Sequence, residues 1–241
     1  MNFLDLFFPK FCVNCKKLGD YLCPNCFIYL SFDVANICAV CSHPSIDGMT
    51  HPGCRGRYTI DGTFVGLEYN PVMKKLMYQF KYKPYLSDLS KFLSELLYES
   101  LIQKEEFAKL IDRKDFVFVP IPLFTSREKS RGYNQSELLA KRLSKKFGLE
   151  VKSLLTRIKD TKTQVGQTKK ERRENLANAF ALQTRNPTRF AKAPARREFE
   201  IRNVLLVDDI LTTGATLNSA ANSLKRAGAR RVFGIALAKE R

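Results

Sequence analysis

The sequence predicts an α/β protein with a mainly parallel sheet, preceded by a small cysteine-rich module. Three observations carry this reading. Short continuous apolar runs of the buried-strand type alternate with segments of helical periodicity. All seven cysteines lie between Cys12 and Cys54, leaving none in the rest of the chain. The 241 residues are 44% hydrophobic, which is enough for one α/β core plus an appendage. The change in composition sets a cysteine module at residues 1–57 and an α/β domain at 58–241, with Gly53, Gly56 and Gly62 marking the exit.

The module is read first. Cys12-Val-Asn-Cys15 and Cys23-Pro-Asn-Cys26 are two CxxC knuckles, Cys38-Ala-Val-Cys41 is a third, and His51-Pro-Gly-Cys54 is a fourth with His in the first position. A CxxC turn points two thiolates at one ion, and two such turns complete a tetrahedron. Four knuckles predict two zinc ions. The simplest partition is sequential: Cys12, Cys15, Cys23, Cys26, then Cys38, Cys41, His51, Cys54. An interleaved cross-brace and His43 in place of His51 stand as alternatives. Protein donors fill all four positions and leave none for water, so both sites read as structural. A segment this short has little core and needs the metal to fold.

In the second part, Phe64–Tyr69 reads as a strand. Leu86, Leu89, Leu93, Leu97 and Leu101 recur at helical spacing. Phe116–Ile121 is a buried strand. Leu139, Leu143 and Phe147 mark a helix that stops at Gly148. Val204–Val207 is another buried strand, followed by a helix from about Ala215 to Gly228 and a last strand, Val232–Ala238. Residues 183–200 have no period and carry two prolines and five Lys/Arg, which predicts an exposed loop.

Charge narrows the choice of partners. The formal net charge is +17, so the chain attracts anions such as nucleic acid, nucleotides or phosphorylated sugars. Between Lys141 and Arg173, twelve Lys/Arg face three acids. The start, MNFLDLFFPKFC, lacks a basic n-region, and no stretch approaches the ~18–20 apolar residues that span a bilayer. A soluble cytoplasmic protein without a transmembrane segment is the expectation. In that reducing setting cysteines favour metal over disulfides.

The segment that carries chemistry is Val204-Leu-Leu-Val-Asp208-Asp209-Ile-Leu-Thr212-Thr213-Gly214-Ala215-Thr216. A buried strand delivers two adjacent carboxylates, a turn of small and hydroxylated residues follows, and a helix begins. Backbone N–H groups at a helix N-terminus cradle anions, and Thr212, Thr213 and Thr216 add hydroxyl donors. Gly214 is expected to let the backbone approach a phosphate closely. Two acids before such a cradle suit a ligand with a phosphate and vicinal hydroxyls, namely a ribose 5-phosphate. Open α/β sheets bind ligands at the carboxyl ends of their strands. Arg127, Arg131 and Gln135 sit just past the end of a strand and open a helix, where they can face a pyrophosphate. Thr161–Lys170, with Lys169 and nearby Arg172, has the character of a lid over the anion.

This stretch resembles the 5-phosphoribosyl-1-pyrophosphate (PRPP) motif of type I phosphoribosyltransferases. The resemblance implies that Asp208 and Asp209 contact the ribose hydroxyls and that Thr212–Thr216 hold the 5-phosphate. Further segments narrow the match: Val119-Pro-Ile-Pro-Leu123, Arg127, Arg131-Gly-Tyr-Asn-Gln135, Thr163-Gln164, Arg172-Arg-Glu-Asn175 and Ala179-Phe180. With the N-terminal knuckles, they make the chain similar over nearly its whole length to the ComF family of competence-associated, phosphoribosyltransferase-like proteins. Tyr133 stands where the family usually has Phe, and Phe124 where it often has His. The stretch 183–200 reads as a local insertion.

The resemblance implies a type I phosphoribosyltransferase-like domain behind a zinc ribbon, Mg²⁺ bound with PRPP, and a role in uptake of transforming DNA beside a helicase-like partner. As a transferase, the protein would break the bond from ribose C1 to pyrophosphate and pass ribose 5-phosphate to a nitrogenous acceptor. As a non-enzymatic factor, it would bind PRPP as a regulatory ligand and single-stranded DNA through its zinc module and basic surface. Replacing Asp208 and Asp209 is expected to weaken PRPP binding without destabilising the fold, because two adjacent acids repel.

Overall fold

The computed structural model describes residues 9–82, 87–159, 178–183 and 201–240. Four parallel strands form the central sheet in the order β1 (Gly62–Glu68), β6 (Arg231–Lys239), β5 (Asn203–Leu211) and β2 (Phe116–Pro120). These are the four strands expected from the apolar runs. A parallel sheet is buried on both faces, which is why its strands read as continuous apolar runs rather than alternating ones. In β5, Leu205 and Val207 enter one apolar cluster while Val204 and Leu206 enter the other.

The first face is covered by helices α2 (Pro71–Tyr82), α3 (Ser87–Ile102), α4 (Glu105–Asp112) and α6 (Gln135–Phe147). Leu89, Leu93, Leu97 and Leu101 of α3 all reach this core, as their spacing predicts; Leu86 lies outside the described residues. Helix α2 was not anticipated, although Val72, Met73, Leu76, Met77 and Phe80 form a helical stripe behind Pro71. Asn70 caps it by accepting from the Met73 N–H at 2.9 Å. Asn134 caps α6 by accepting from the Ser136 N–H at 3.0 Å, and Gly148 ends that helix with φ of +67°.

The second face is covered by α7 (Ala215–Ala227) and by an antiparallel pair, β3 (Leu155–Arg157) with β4 (Phe180–Leu182). Strands of three residues carry no readable period, so this pair was not anticipated either. The short helix α5 (Thr125–Arg131) connects β2 to α6. Of the loop expected over 183–200, residues 184–200 lie outside the described residues.

The cysteine-rich segment, which includes the short helix α1 (Pro24–Phe27), wraps the β1 edge. The Glu68 N–H donates to the Ser31 carbonyl at 2.9 Å, and Met49 bridges to Gly62. Cys12, Val13, Leu22 and Leu30 join the first apolar cluster, whereas Ile37 and Ala39 join the second. At the opposite edge, the Phe118 N–H donates to the Glu150 carbonyl at 2.8 Å. Both edges are therefore blunted by chain of the same molecule. Among the described residues, no helix is long and apolar enough to cross a membrane.

Phe64 lies at the centre of the first core, with ring centroids 5.2 Å from Phe107 and 5.9 Å from Phe233. Phe64→Ala is expected to lower unfolding stability by about 3–5 kcal/mol, the usual cost of a buried aromatic truncation. Denaturant titration checks this through the midpoint at unchanged slope.

Candidate functional site

The four knuckles converge into two quartets. Ligand atoms of Cys12, Cys15, Cys23 and Cys26 lie within 4.8 Å of one another, and those of Cys38, Cys41, His51 and Cys54 do likewise. This is the sequential grouping and not the cross-brace. His51 Nδ1 lies 3.4 Å from Cys41 Sγ, and its Nε2 lies 2.9 Å from the Pro44 carbonyl. A proton on Nε2 donated to that carbonyl leaves Nδ1 free for a metal, the usual arrangement of a supported histidine ligand. His43 serves the knuckle through its backbone instead, accepting the Cys38 N–H at 2.9 Å.

Burial pushes the Cys12 thiol up, but backbone N–H groups of Cys15, Cys23 and Asn14 outweigh it and bring it down to about 6. Cys38 is brought down to about 7 against burial by backbone donors of His51, Cys41 and Val40. Each quartet thus has a sulfur predisposed to the thiolate state that a metal requires. Four sulfurs in one quartet, and three sulfurs with an imidazole nitrogen in the other, leave no position for water and fit structural zinc.

The second centre lies along β5. The strand does not end at the acids: it continues through Asp208 and Asp209 to Leu211, with Asp208, Ile210 and Leu211 in register with β6. What ends there is the pairing with β2, whose last register is Pro120 against Val207. The acids therefore emerge where the sheet narrows from the β2 side, near the start of α6 and the end of α2.

Their partners differ. Asp208 Oδ1 accepts from the Asp209 N–H at 2.8 Å and from Ser136 Oγ at 3.3 Å. Asp209 Oδ2 forms an ion pair with Lys81 Nζ at 2.8 Å. Burial, followed by the neighbouring Asp209 charge, pushes the Asp208 carboxyl up to about 7; the Asp209 N–H, Lys81 and Arg157 pull it the other way. Burial disfavours the Lys81 ammonium, but Asp209 overrides this and raises its pKa above the ordinary lysine value. Lys81, Ser136 and Arg157 were not singled out from the sequence. The stripe of α2, ending one residue before Lys81, was the available signal for the first of them.

The loop after β5 turns sharply at Gly214, with φ of +77°, and α7 begins at Ala215. Thr212 is exposed, Thr213 is buried and Thr216 is half-buried. Thr213 Oγ1 accepts from the Ala215 N–H at 3.4 Å. The reason for glycine differs from the one expected. A Cβ on Gly214 would lie 2.6 Å from Cα and Cβ of Ala39, so the space beside it belongs to the Cys38–Cys41 knuckle, not to a phosphate.

Arg131 and Gln135 are joined, Nη1 donating to Oε1 at 3.0 Å. Gln135 is buried and donates from Nε2 to the Phe80 carbonyl at 3.4 Å, which ties α6 to the end of α2. The Arg131 guanidinium stands 5.4 Å from the Tyr82 ring centroid, and its charge acts on Lys81. Arg127 is half-buried on α5. Arg172, the lid segment Thr161–Lys170 with Thr163-Gln164 and Lys169, and Arg173 to Asn175 lie outside the described residues.

Residues 3–55 match the double zinc ribbon domain, and residues 133–241 match the phosphoribosyl transferase domain. The chain is 31% identical to Competence protein ComFC of Bacillus subtilis over 224 residues, covering 91% of this chain and 79% of that protein. It belongs to the ComF family. It is also 40% identical to Competence protein F of Haemophilus influenzae over 123 residues, spanning 50% of this chain and about half (49%) of that protein. With DNA utilization protein YhgH of Escherichia coli K12 the identity is 32% over 168 residues, 68% of this chain and 66% of the relative. For this ComF-family chain, the α/β domain is thus of the type I phosphoribosyltransferase kind behind a structural zinc ribbon.

The unequal acids predict opposite stability effects, in place of the neutral one expected from sequence. The folded pKa of Asp208, about 7, lies above the ordinary value near 3.9 that it takes when unfolded. Between these values the folded state holds the extra proton, so this contribution to stability is full below about 4 and is lost as pH rises through about 7. Asp208→Asn removes the loss, and its melting temperature should exceed wild type at pH 8 with the gap closing at pH 5. Asp209→Asn strands the Lys81 ammonium and should cost about 1–3 kcal/mol. Thermal melts of both variants across pH check this, and shifts of the same sign at pH 8 would refute it.

Proposed function

We propose that this ComF-family protein binds PRPP at the carboxyl end of β5 and acts as a phosphoribosyltransferase on a nitrogenous acceptor. The observation that carries the reading is the order of parts along one stretch of chain. A parallel strand brings Asp208 and Asp209 to the open side of the sheet, and after a short turn α7 starts at Ala215 with Gly214 at its N-cap and no side-chain cap. Ribose hydroxyls donate to the two carboxylates, and the 5-phosphate takes the N–H groups and hydroxyls of Thr212–Thr216. Arg131, close enough for its charge to act on Lys81, faces the pyrophosphate with Arg127. Arg172, the third arginine expected to serve the anion, lies outside the described residues.

The residues suit Mg²⁺ as a companion of the ligand rather than as a resident ion. Asp208 and Asp209 already have Ser136 and Lys81 as partners, so hard oxygen donors come mainly from the ligand itself. Mg²⁺, when bound with PRPP, neutralises charge that develops on the leaving pyrophosphate. The chain's own part is to hold the ribose ring through Asp208 and Asp209 and to stabilise the departing anion with Arg127 and Arg131. Asp208 must give up the proton that its raised pKa favours, so PRPP affinity should fall below about pH 7.

Asp208→Asn with Asp209→Asn should weaken Mg²⁺–PRPP binding by about ten- to thousand-fold, allowing for non-additivity. Calorimetric titration below the melting range of the double variant tests this, and wild-type affinity would refute the assignment. Pyrophosphate release from PRPP with a panel of bases and amines tests the transferase step itself.

A second reading is a non-enzymatic PRPP- and single-stranded-DNA-binding factor. The relatives' names, Competence protein ComFC and DNA utilization protein YhgH, favour a DNA-uptake context. The net charge of +17 suits phosphate backbones. Exposed aromatics also suit bases: Tyr78 and Tyr82 lie 5.1 Å apart, and Phe27 and Phe32 lie 6.3 Å apart. If this reading holds, PRPP binds without turnover. Tyr78→Ala with Tyr82→Ala should then weaken oligothymidylate binding by about 1–3 kcal/mol per stacked base at fixed salt, as read by fluorescence anisotropy. Unchanged binding removes these rings from the interface.

A further inference from the structure

The zinc-ribbon segment meets the phosphate loop at the Cys38–Cys41 knuckle. Ser42, the residue after Cys41, donates from Oγ to the Thr213 carbonyl at 3.0 Å. Ala39, between Cys38 and Cys41, is 1% exposed and fills the space where Gly214 lacks a Cβ. The Ser42 N–H in turn donates to the Cys38 carbonyl at 2.8 Å, with Ser42 at φ of +67°. The hydroxyl that reaches Thr213 is therefore held by the turn that also aims Cys38 and Cys41 at their ion.

We infer that Ser42 and Ala39 are positioning residues for the phosphate loop, and that metal at Cys38, Cys41, His51 and Cys54 is thermodynamically coupled to anion binding at Thr212–Thr216. The inference rests on the proposed PRPP site. The peptide between Thr213 and Gly214 is trans, so its carbonyl and its N–H point in opposite directions. Ser42 draws the carbonyl toward the knuckle and so turns the Gly214 N–H away from it, as a cradle requires. Gly214 serves as N-cap of α7 without a side-chain cap, so the first turn of that helix depends on the neighbouring chain for its orientation. The knuckle in its turn depends on the ion, because a segment with little core of its own keeps its shape through metal ligation. Three ligands of this second quartet, Cys41, His51 and Cys54, are half-buried, whereas in the first quartet only Cys15 is exposed. The second ion is thus the more accessible one, and its loss would release the loop.

Coupling is reciprocal: if the ion strengthens PRPP binding by some factor, PRPP must strengthen ion binding by the same factor. The test uses the full-length protein with zinc or with Co²⁺ in its place, since the absorption of Co²⁺ separates a Cys₃His site from a Cys₄ site. Mg²⁺–PRPP should slow chelator-driven metal loss from the Cys₃His site and leave the Cys₄ site unaffected. Ser42→Ala should weaken Mg²⁺–PRPP about three- to tenfold and abolish the protection. Unaltered metal loss and unaltered Ser42→Ala affinity, in protein that binds PRPP, would overturn the coupling. If wild-type protein binds no PRPP, the ligand assignment has failed, and the contact is judged by amide hydrogen exchange at 212–216. Faster exchange there in Ser42→Ala and in metal-depleted protein supports the positioning role, and unchanged exchange refutes it.

Discussion

A parallel sheet of four strands must be covered on both faces, and most of this structure follows from that constraint. Helices α2, α3, α4 and α6 cover one face, and α7 with the β3–β4 pair covers the other. The cysteine-rich segment contributes to both layers because it wraps the β1 edge, sending Leu22 and Leu30 to one core and Ile37 and Ala39 to the other. Its zinc quartets give a segment with little core of its own the rigidity to serve as part of the wall of the α/β domain. Metal and sheet are thus parts of one packing solution.

The same constraint shapes the electrostatics of the ligand site. A strand buried on both faces can present charge only where one of its neighbours stops, and β2 stops at Pro120 opposite Val207. The next two residues are Asp208 and Asp209. Their environments differ because different helices approach each one: α6 brings Ser136 to the first and α2 brings Lys81 to the second. Burial and mutual repulsion raise one carboxyl, while the ammonium compensates the other. A pair that looks symmetric in sequence becomes one proton-sensitive group and one ion-paired group. Binding a ligand through both acids therefore involves a proton and a redistributed salt bridge, as well as new hydrogen bonds.

Much of the fold was legible from local pattern. All four sheet strands, and helices α3, α6 and α7, follow from apolar runs, periodicity and glycine stops such as Gly148. Helix α2 carries a readable stripe at Val72, Met73, Leu76, Met77 and Phe80, but nothing in that stripe assigns Lys81, which follows it, to Asp209. The β3–β4 pair was beyond reach, since three residues per strand hold no period. Of the candidate ligand residues, Asp208 and Asp209 lie on β5, and Thr212–Thr216 lie on the turn and first residues of α7 that follow it. Gln135 was read as facing a ligand but is buried, spending its amide on Arg131 and the Phe80 carbonyl. No local pattern distinguishes a polar side chain aimed at a ligand from one aimed at a neighbouring helix.

The sequence by itself determined the donor chemistry: two sets of four metal-type ligands, and adjacent acids followed by a small, hydroxylated turn before a helix. Those features depend on spacings of a few residues, which backbone geometry converts directly into direction. Only the tertiary structure decided which partners these groups meet. It chose His51 over His43, gave Lys81 to Asp209, and set Ala39 where Gly214 lacks a side chain. The reason is distance along the chain. Ser42 and Thr213 are 171 residues apart, and a contact across that separation exists only once the sheet has brought the two loops together.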